Sequence, residues 1–148
     1  MLHYLIYMSH ATHPMSDNNL DEILATAVKN NIEKDITGML VFIDEQSAFS
    51  DHGRFIQVLE GSEETVKDIY KTISKDDRHN QITELFSYPI KQRNFPDWSM
   101  GFKRVSDASS VPDELNKWFD PDHFPKAMNK EGMNIPLTYL RSFYDIHK

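Results

Sequence analysis

Residues 2–9 carry two interleaved apolar sets, Leu5 and Tyr7 against Tyr4, Ile6 and Met8. A strand that is apolar on both faces has to be covered on both sides. After a polar stretch, Ser16 stands where a helix needs its N-cap. From there Leu20, Ile23, Leu24, Ala27 and Val28 recur at the i, i+3, i+4, i+7, i+8 spacing of an amphipathic helix. Residues 36–43 and 54–59 predict two strands, and the polar stretch 44–53 between them predicts a hairpin with a long tip. Gly61 and Ser62 then precede Glu63 and Glu64, acids suited to the first turn of a second helix with the core stripe Val66, Ile69, Tyr70 and Ile73. Strands are predicted at 82–90 and 98–105. Two amphipathic helices follow, 112–119 (Leu115, Trp118, Phe119) and 136–146 (Leu137, Leu140, Tyr144), separated by a loop at 120–132 rich in Pro, Asp and His.

The order is β-α-β-β-α-β plus one strand. Right-handed crossovers and short hairpins turn that order into an α+β, ferredoxin-like sheet with both helices on one face. The C-terminal helices are then expected on the other face. Residues 1–105 form the sheet unit in this reading, and 106–148 a helical extension packed on the same domain.

A chain of 148 residues is long enough for one domain with a sizeable core. Its 16 Lys and Arg against 23 Asp and Glu give a net charge of -7, which repels phosphate backbones and argues against nucleic acid as a partner. The absence of cysteine excludes disulfides, thiolate metal sites, cysteine nucleophiles and cysteinyl photoadducts. His10 and His13 lack the cysteine or carboxylate that would complete a metal site, so no metal is expected. No apolar run reaches membrane-spanning length and the N-terminus does not read as a signal peptide, so a soluble cytoplasmic protein away from membranes is expected. The five glycines form neither a GxGxxG nor a GxxxxGK[ST] cluster.

Several polar residues fall on apolar faces. Asn31 continues the stripe of the first helix with Asn30 beside it, either as a C-cap or as a polar group with a partner over the sheet. Gln57 shares its strand face with Phe55 and Leu59, either as a satisfied core amide or as a functional one. Tyr7 lies in the first strand, and Trp98 and Met100 share a face of the last. Tyr7, Gln57 and Met100 thus occupy three strands of one sheet, with Asn31 on a helix above it.

These residues stand in segments that resemble a blue-light-using-FAD (BLUF) domain: Tyr7-Met8-Ser9-His10-Ala11, Met15-Ser16 to Ile23-Leu24, Asn30-Asn31 to Ile36-Thr37-Gly38-Met39-Leu40, Phe55-Ile56-Gln57-Val58-Leu59-Glu60-Gly61, Asp76-Asp77-Arg78-His79 and Trp98-Ser99-Met100. They cover about the first hundred residues in family order. The resemblance implies an FAD ring held between the two helices without a glycine loop. It assigns the photoactive tyrosine to Tyr7, the bridging glutamine to Gln57, and the residues that respond to it to Met100 and Trp98. Contacts to the cofactor fall on Ile23, Asn30, Asn31, Ile73, Asp76, Arg78 and His79. Lys29, Lys71 and Lys75 are candidate neighbours of the phosphates.

The implied function is blue-light sensing, with light rearranging a Tyr–Gln–flavin hydrogen-bond network. About 45 residues follow the family-like region, too few for a cyclase or phosphodiesterase, so the chain is expected to be no enzyme and to signal to a separate protein, as a homo-oligomer. Two features depart from the pattern: the long tip at 44–53, and Thr72 where some members carry an arginine. The alternative is a non-photoactive interaction module with a vestigial flavin site. An acylphosphatase-like enzyme would need an anion-binding arginine loop after the first strand, where residues 10–14 stand instead.

Overall fold

The two-sided apolar pattern of β1 (Leu2–Ala11) matches its place inside a sheet covered on both faces. The computed structural model describes residues 2–44, 52–105 and 135–146. In chain order, α1 (Asp17–Lys34), β2 (Thr37–Ile43), β3 (Arg54–Ser62), α2 (Glu63–Ser74), β4 (His79–Ile90), β5 (Gly101–Val105) and α3 (Ile135–Ile146) follow β1. The sheet order is β4-β1-β3-β2-β5. β1 runs antiparallel to β3 and β4, β2 antiparallel to β3, and β5 parallel to β2. This is the ferredoxin-like arrangement with one added edge strand.

Period-two alternation divides the core cleanly. Leu5, Tyr7, Leu40, Phe55 and Leu59 face α1 and α2, meeting Leu20, Val66 and Ile69. Tyr4, Ile6, Met8, Val41, Ile56 and Val58 face the other way, where Leu140, Leu137 and Phe143 of α3 cover them. Register opposes Tyr7 to Gln57 and Gln57 to Leu40, which puts the glutamine between its two neighbours in the middle of the sheet. The β1–β4 ladder shifts register beside Tyr7 and again between Met8 and His10; such bulges bend a strand and re-aim its side chains.

The helix ends follow local chemistry. Ser16 caps α1 through a reciprocal box with Asn19, and Ser62 caps α2 by accepting from the Thr65 N–H. α1 runs past Asn31 to Lys34, and Asp35 takes the left-handed turn (φ 56°). Asn31 is therefore a residue of the last turn and not the C-cap. α2 stops at Ser74 with Lys75 as cap, so Asp76 and Asp77 belong to the following turn.

The strand expected at 98–105 is shorter, because pairing with β2 begins only at Gly101 opposite Met39. A side chain at Gly101 would meet the Trp98 ring at 2.2 Å, so glycine there lets the indole fold back over the backbone. Trp98 consequently packs in the α3-side cluster and Met100 in the α1–α2 side, on opposite faces instead of the one face expected. Residues 45–51 of the hairpin tip, the helix expected at 112–119 and the loop at 120–132 lie outside the described residues. Among the described residues, no helix is long and apolar enough to cross a membrane.

Candidate functional site

β1 and β3 bring Tyr7 and Gln57 side by side beneath the gap between α1 and α2. The Tyr7 hydroxyl donates to Gln57 Oε1 at 2.6 Å, and Gln57 Nε2 donates to Met100 Sδ at 3.3 Å. All three side chains are buried. A thioether only accepts and an amide oxygen only accepts, so the two bonds fix the direction of the chain from Tyr7 through Gln57 to Met100. Burial pushes the Tyr7 phenol well above its ordinary pKa, with the neighbouring Tyr70 phenol, where it ionises, and the Asp76 carboxylate adding to the effect. Tyr7 is a neutral donor.

Above this floor lies a cleft between α1, α2 and the sheet. Its walls are largely apolar. Ile23 and Ala27 contribute from α1, Ile69 and Ile73 from α2, and Leu40, Phe55 and Leu59 from the sheet. Tyr7, Gln57, Asn30, Asn31, Asp76, Arg78 and His79 supply the polar lining. Asn31 is buried and its Nδ2 donates to the Ser99 carbonyl at 2.8 Å, a bond that leaves its amide oxygen and second N–H for other partners. Asn30 is exposed at the rim.

His79 uses both ring nitrogens. Its Nε2 lies 2.8 Å from the Ile73 carbonyl, which can only accept, so the neutral ring carries its hydrogen there. Its Nδ1, 2.6 Å from the Ser9 hydroxyl, is then the acceptor. The ring stands edge-on to Tyr7 and Phe55 and is fixed from α2, β1 and the sheet face at once. At the mouth, Asp76 grips Arg78 through both carboxylate oxygens and also accepts its main-chain N–H at 2.9 Å. The Arg78 hydrogen bonds hold the Asp76 carboxyl below its ordinary value.

Nine of the expected residues therefore share one cleft with its lining, and Met100 joins them through Gln57. Trp98 does not: it stacks on Phe95 on the other side of the sheet. Lys29, Lys71 and Lys75 do not line the cleft, whereas Lys34 does. Helical spacing could have found Lys34, four residues beyond Asn30 and so on the same side of α1. Thr72 does line the cleft, so an arginine there would have reached it. Among the described residues, no group of three or more His, Cys, Asp or Glu side chains is placed to hold a metal.

The donor set suits a flat heteroaromatic ring with alternating carbonyl and N–H groups on its edge. Two buried carboxamides offer both hydrogen-bonding senses, and facing isoleucines offer apolar walls. The family model described as "Sensors of blue-light using FAD" matches residues 2–101. The chain belongs to the BLUF family.

Relatives of this BLUF chain place the same unit in larger proteins. Photoactivated adenylate cyclase subunit beta of Euglena gracilis is 35% identical over 143 residues, which is 93% of this chain and 15% of that subunit. The blue light- and temperature-regulated antirepressor BluF of Escherichia coli K12 is 37% identical over 95 residues, 64% of this chain and 22% of that protein. The chain thus spans a small part of the curated relatives it matches. Among solved structures, the photo-activated state of BlsA superposes with a TM-score of 0.66 at 25% identity, covering 97% of this chain and 94% of that one. Klebsiella pneumoniae BlrP1 with FMN gives a TM-score of 0.59 at 32% identity over 76% of this chain and 27% of that one. BLUF proteins sense blue light through a flavin.

Proposed function

We propose that this chain holds FAD in the α1–α2 cleft and reports blue light by reorganising the Tyr7–Gln57–Met100 hydrogen-bond chain. The observation that carries the proposal is the 2.6 Å bond from Tyr7 to Gln57 Oε1 at the floor of the cleft, continued to Met100. Bound flavin supplies blue absorption and, when excited, strong oxidising power at the cleft floor. Asn31 and Gln57 would hold its polar edge, Ile23 and Ile73 its faces, and Lys34 with the Asp76–Arg78 pair its tail. With Thr72 in place of arginine, Lys34 takes a larger share of that tail.

The residues themselves define the switch. The Oη proton of Tyr7 has Gln57 Oε1 as its hydrogen-bonded acceptor. A carboxamide carries an acceptor and two donors on one pivot, so a half-turn exchanges Oε1 and Nε2. That turn replaces the donor facing Met100 Sδ with an acceptor and breaks the Gln57–Met100 bond. Two such arrangements in a buried setting form a two-state element. Sensing then needs no substrate-side acid or base, and the chain acts as a sensor whose state is read by a separate signalling protein.

Absorption spectroscopy tests the proposal. Purified, flavin-reconstituted protein is expected to be yellow and to show a small red shift under blue light that reverses in darkness. Failure to take up flavin overturns the proposal. A yellow protein with no shift would favour a plain flavin-binding module.

A further inference from the structure

Glu60 lies on β3 three residues from Gln57, on the opposite face, and is completely buried. Its Oε2 accepts from the main-chain N–H of Asn94 at 2.6 Å and from the Asn94 side chain at 3.0 Å. Its Oε1 accepts from the Phe95 N–H at 2.9 Å and from Thr37 Oγ1 at 3.1 Å. Arg93 adds bonds to Thr37 Oγ1 and to the Glu60 carbonyl, at 2.9 and 3.1 Å. Charge-assisted bonds from a buried carboxylate are among the strongest a fold can use to fix a loop.

The loop fixed in this way, residues 91–100, is also the one that reaches the cleft. Its Ser99 carbonyl accepts from Asn31 and its Met100 sulfur from Gln57. Between those ends the fully buried Phe95 ring stacks on Trp98, at 6.2 Å between centroids, and Trp98 lies over Gly101. The Asn94 carboxamide faces two ways. Its Nδ2 is bound to Glu60, and its Oδ1 accepts from Arg141 Nη1 of α3 at 3.1 Å. From Gln57 the connection therefore runs to Met100, along the loop backbone to Trp98, across the Trp98–Phe95 stack, and through the bonds of Glu60 to Asn94 and α3.

We propose that Glu60 and Asn94 are positioning residues of the light response: Glu60 sets the loop that presents Met100 to Gln57, and Asn94 passes a change in that loop to α3 through Arg141. The inference rests on the photoreceptor reading above. When the Gln57 amide turns, the loop loses a bond at Met100 but keeps its anchor at Glu60. The displaced Trp98–Phe95 stack then works against that anchor, and Asn94 shares the strain with Arg141.

Backbone hydrogen exchange of α3 in the flavin-loaded chain, in darkness and under blue light, tests this. Asn94→Ala keeps both main-chain donors to Glu60 but removes the side-chain bond to Glu60 together with the link to Arg141; Arg141→Gln removes the Asn94–Arg141 link from the other side and leaves every bond to Glu60 in place. In the wild type, illumination is expected to change α3 exchange by about fivefold, the population shift that one net hydrogen bond supports. In either variant the absorption shift persists while the α3 response disappears, and in that α3 response the double variant behaves like the singles because both substitutions break the same Asn94–Arg141 contact. Glu60→Gln sets an N–H₂ group against the Asn94 and Phe95 donors, and is expected to change the dark-recovery rate by about fivefold with flavin still bound. Recovery at the wild-type rate, or an α3 response that survives both Asn94→Ala and Arg141→Gln, overturns the proposal. So does a wild type whose absorption shifts while α3 does not respond. Absence of any absorption shift in the wild type defeats the photoreceptor reading instead, and this inference with it.

Discussion

The phenol of Tyr7 has to be a donor for the proposed switch to have one dark direction, and burial secures this. Its folded-state pKa is raised, so the folded protein keeps the proton where the unfolded chain releases it. The sign follows directly: Tyr7 adds no pH dependence below its unfolded pKa, and stability falls as pH rises above it. Between about pH 9 and about pH 11 the wild type is expected to lose roughly 1.4 kcal/mol more than Tyr7→Phe, measured by urea unfolding. Equal losses in the two proteins would show that the phenol is solvated. Gln57 and Asn31 stood out in the sequence as carboxamides on apolar faces, with a structural reading of each equally open, whereas Tyr7 is an ordinary strand residue by pattern and was singled out by the family resemblance. The direction of their bonds was not legible, since it depends on Met100 arriving from a loop. Trp98 was misplaced because alternation was extended through residues that precede the ladder, where the bare backbone of Gly101 admits the indole. The roles of Ser9 and Lys34 were missed, as neither stands out in a pattern of apolar positions.

At the scale of elements, the helices were legible from their stripes and serine caps, and the strands to within a few residues. β4 begins at His79 and not at 82, because the DDRH segment turns directly into the edge of the sheet. What sequence could not show is how β5 is held. Arg104 binds Asp44 at the end of β2 through two bonds of 2.8 and 2.7 Å, Asp17 in the first turn of α1 at 2.6 Å, and the Met15 carbonyl at 2.9 Å. Its guanidinium also lies 5.6 Å from the centroid of the Phe42 ring. One side chain thus ties β5, β2 and α1 together, and Asp44, expected to belong to the hairpin tip, is a structural partner. Isolated surface pairs contribute little, but a networked bidentate arginine contributes more. Arg104→Met is expected to cost about 1–2 kcal/mol in thermal or urea unfolding, and Arg104→Lys to recover only part of it. Full recovery by lysine would mean that charge alone, without the planar fork, holds β5.

At the scale of the whole molecule, the sheet separates two layers with different tasks. The α1–α2 layer encloses the cleft, and the α3 layer covers the far face through Leu137, Leu140 and Phe143. The loop between β4 and β5 touches both layers, which gives the cleft a route to the opposite side of the molecule. A ligand that binds only the folded chain raises its stability by mass action, so FAD at about a hundred times its Kd is expected to add roughly 2.7 kcal/mol. Calorimetry with and without FAD reads this as a raised Tm, and an unchanged Tm would show that the cleft does not hold the cofactor. The central claim, however, concerns one carboxamide. Gln57→Leu preserves the volume of the side chain and removes its hydrogen bonds to Tyr7 and Met100. The light-minus-dark absorption spectrum of that variant is the most direct measurement. Flavin bound and visible with no light-induced displacement is the predicted result. A displacement equal to that of the wild type would contradict the account.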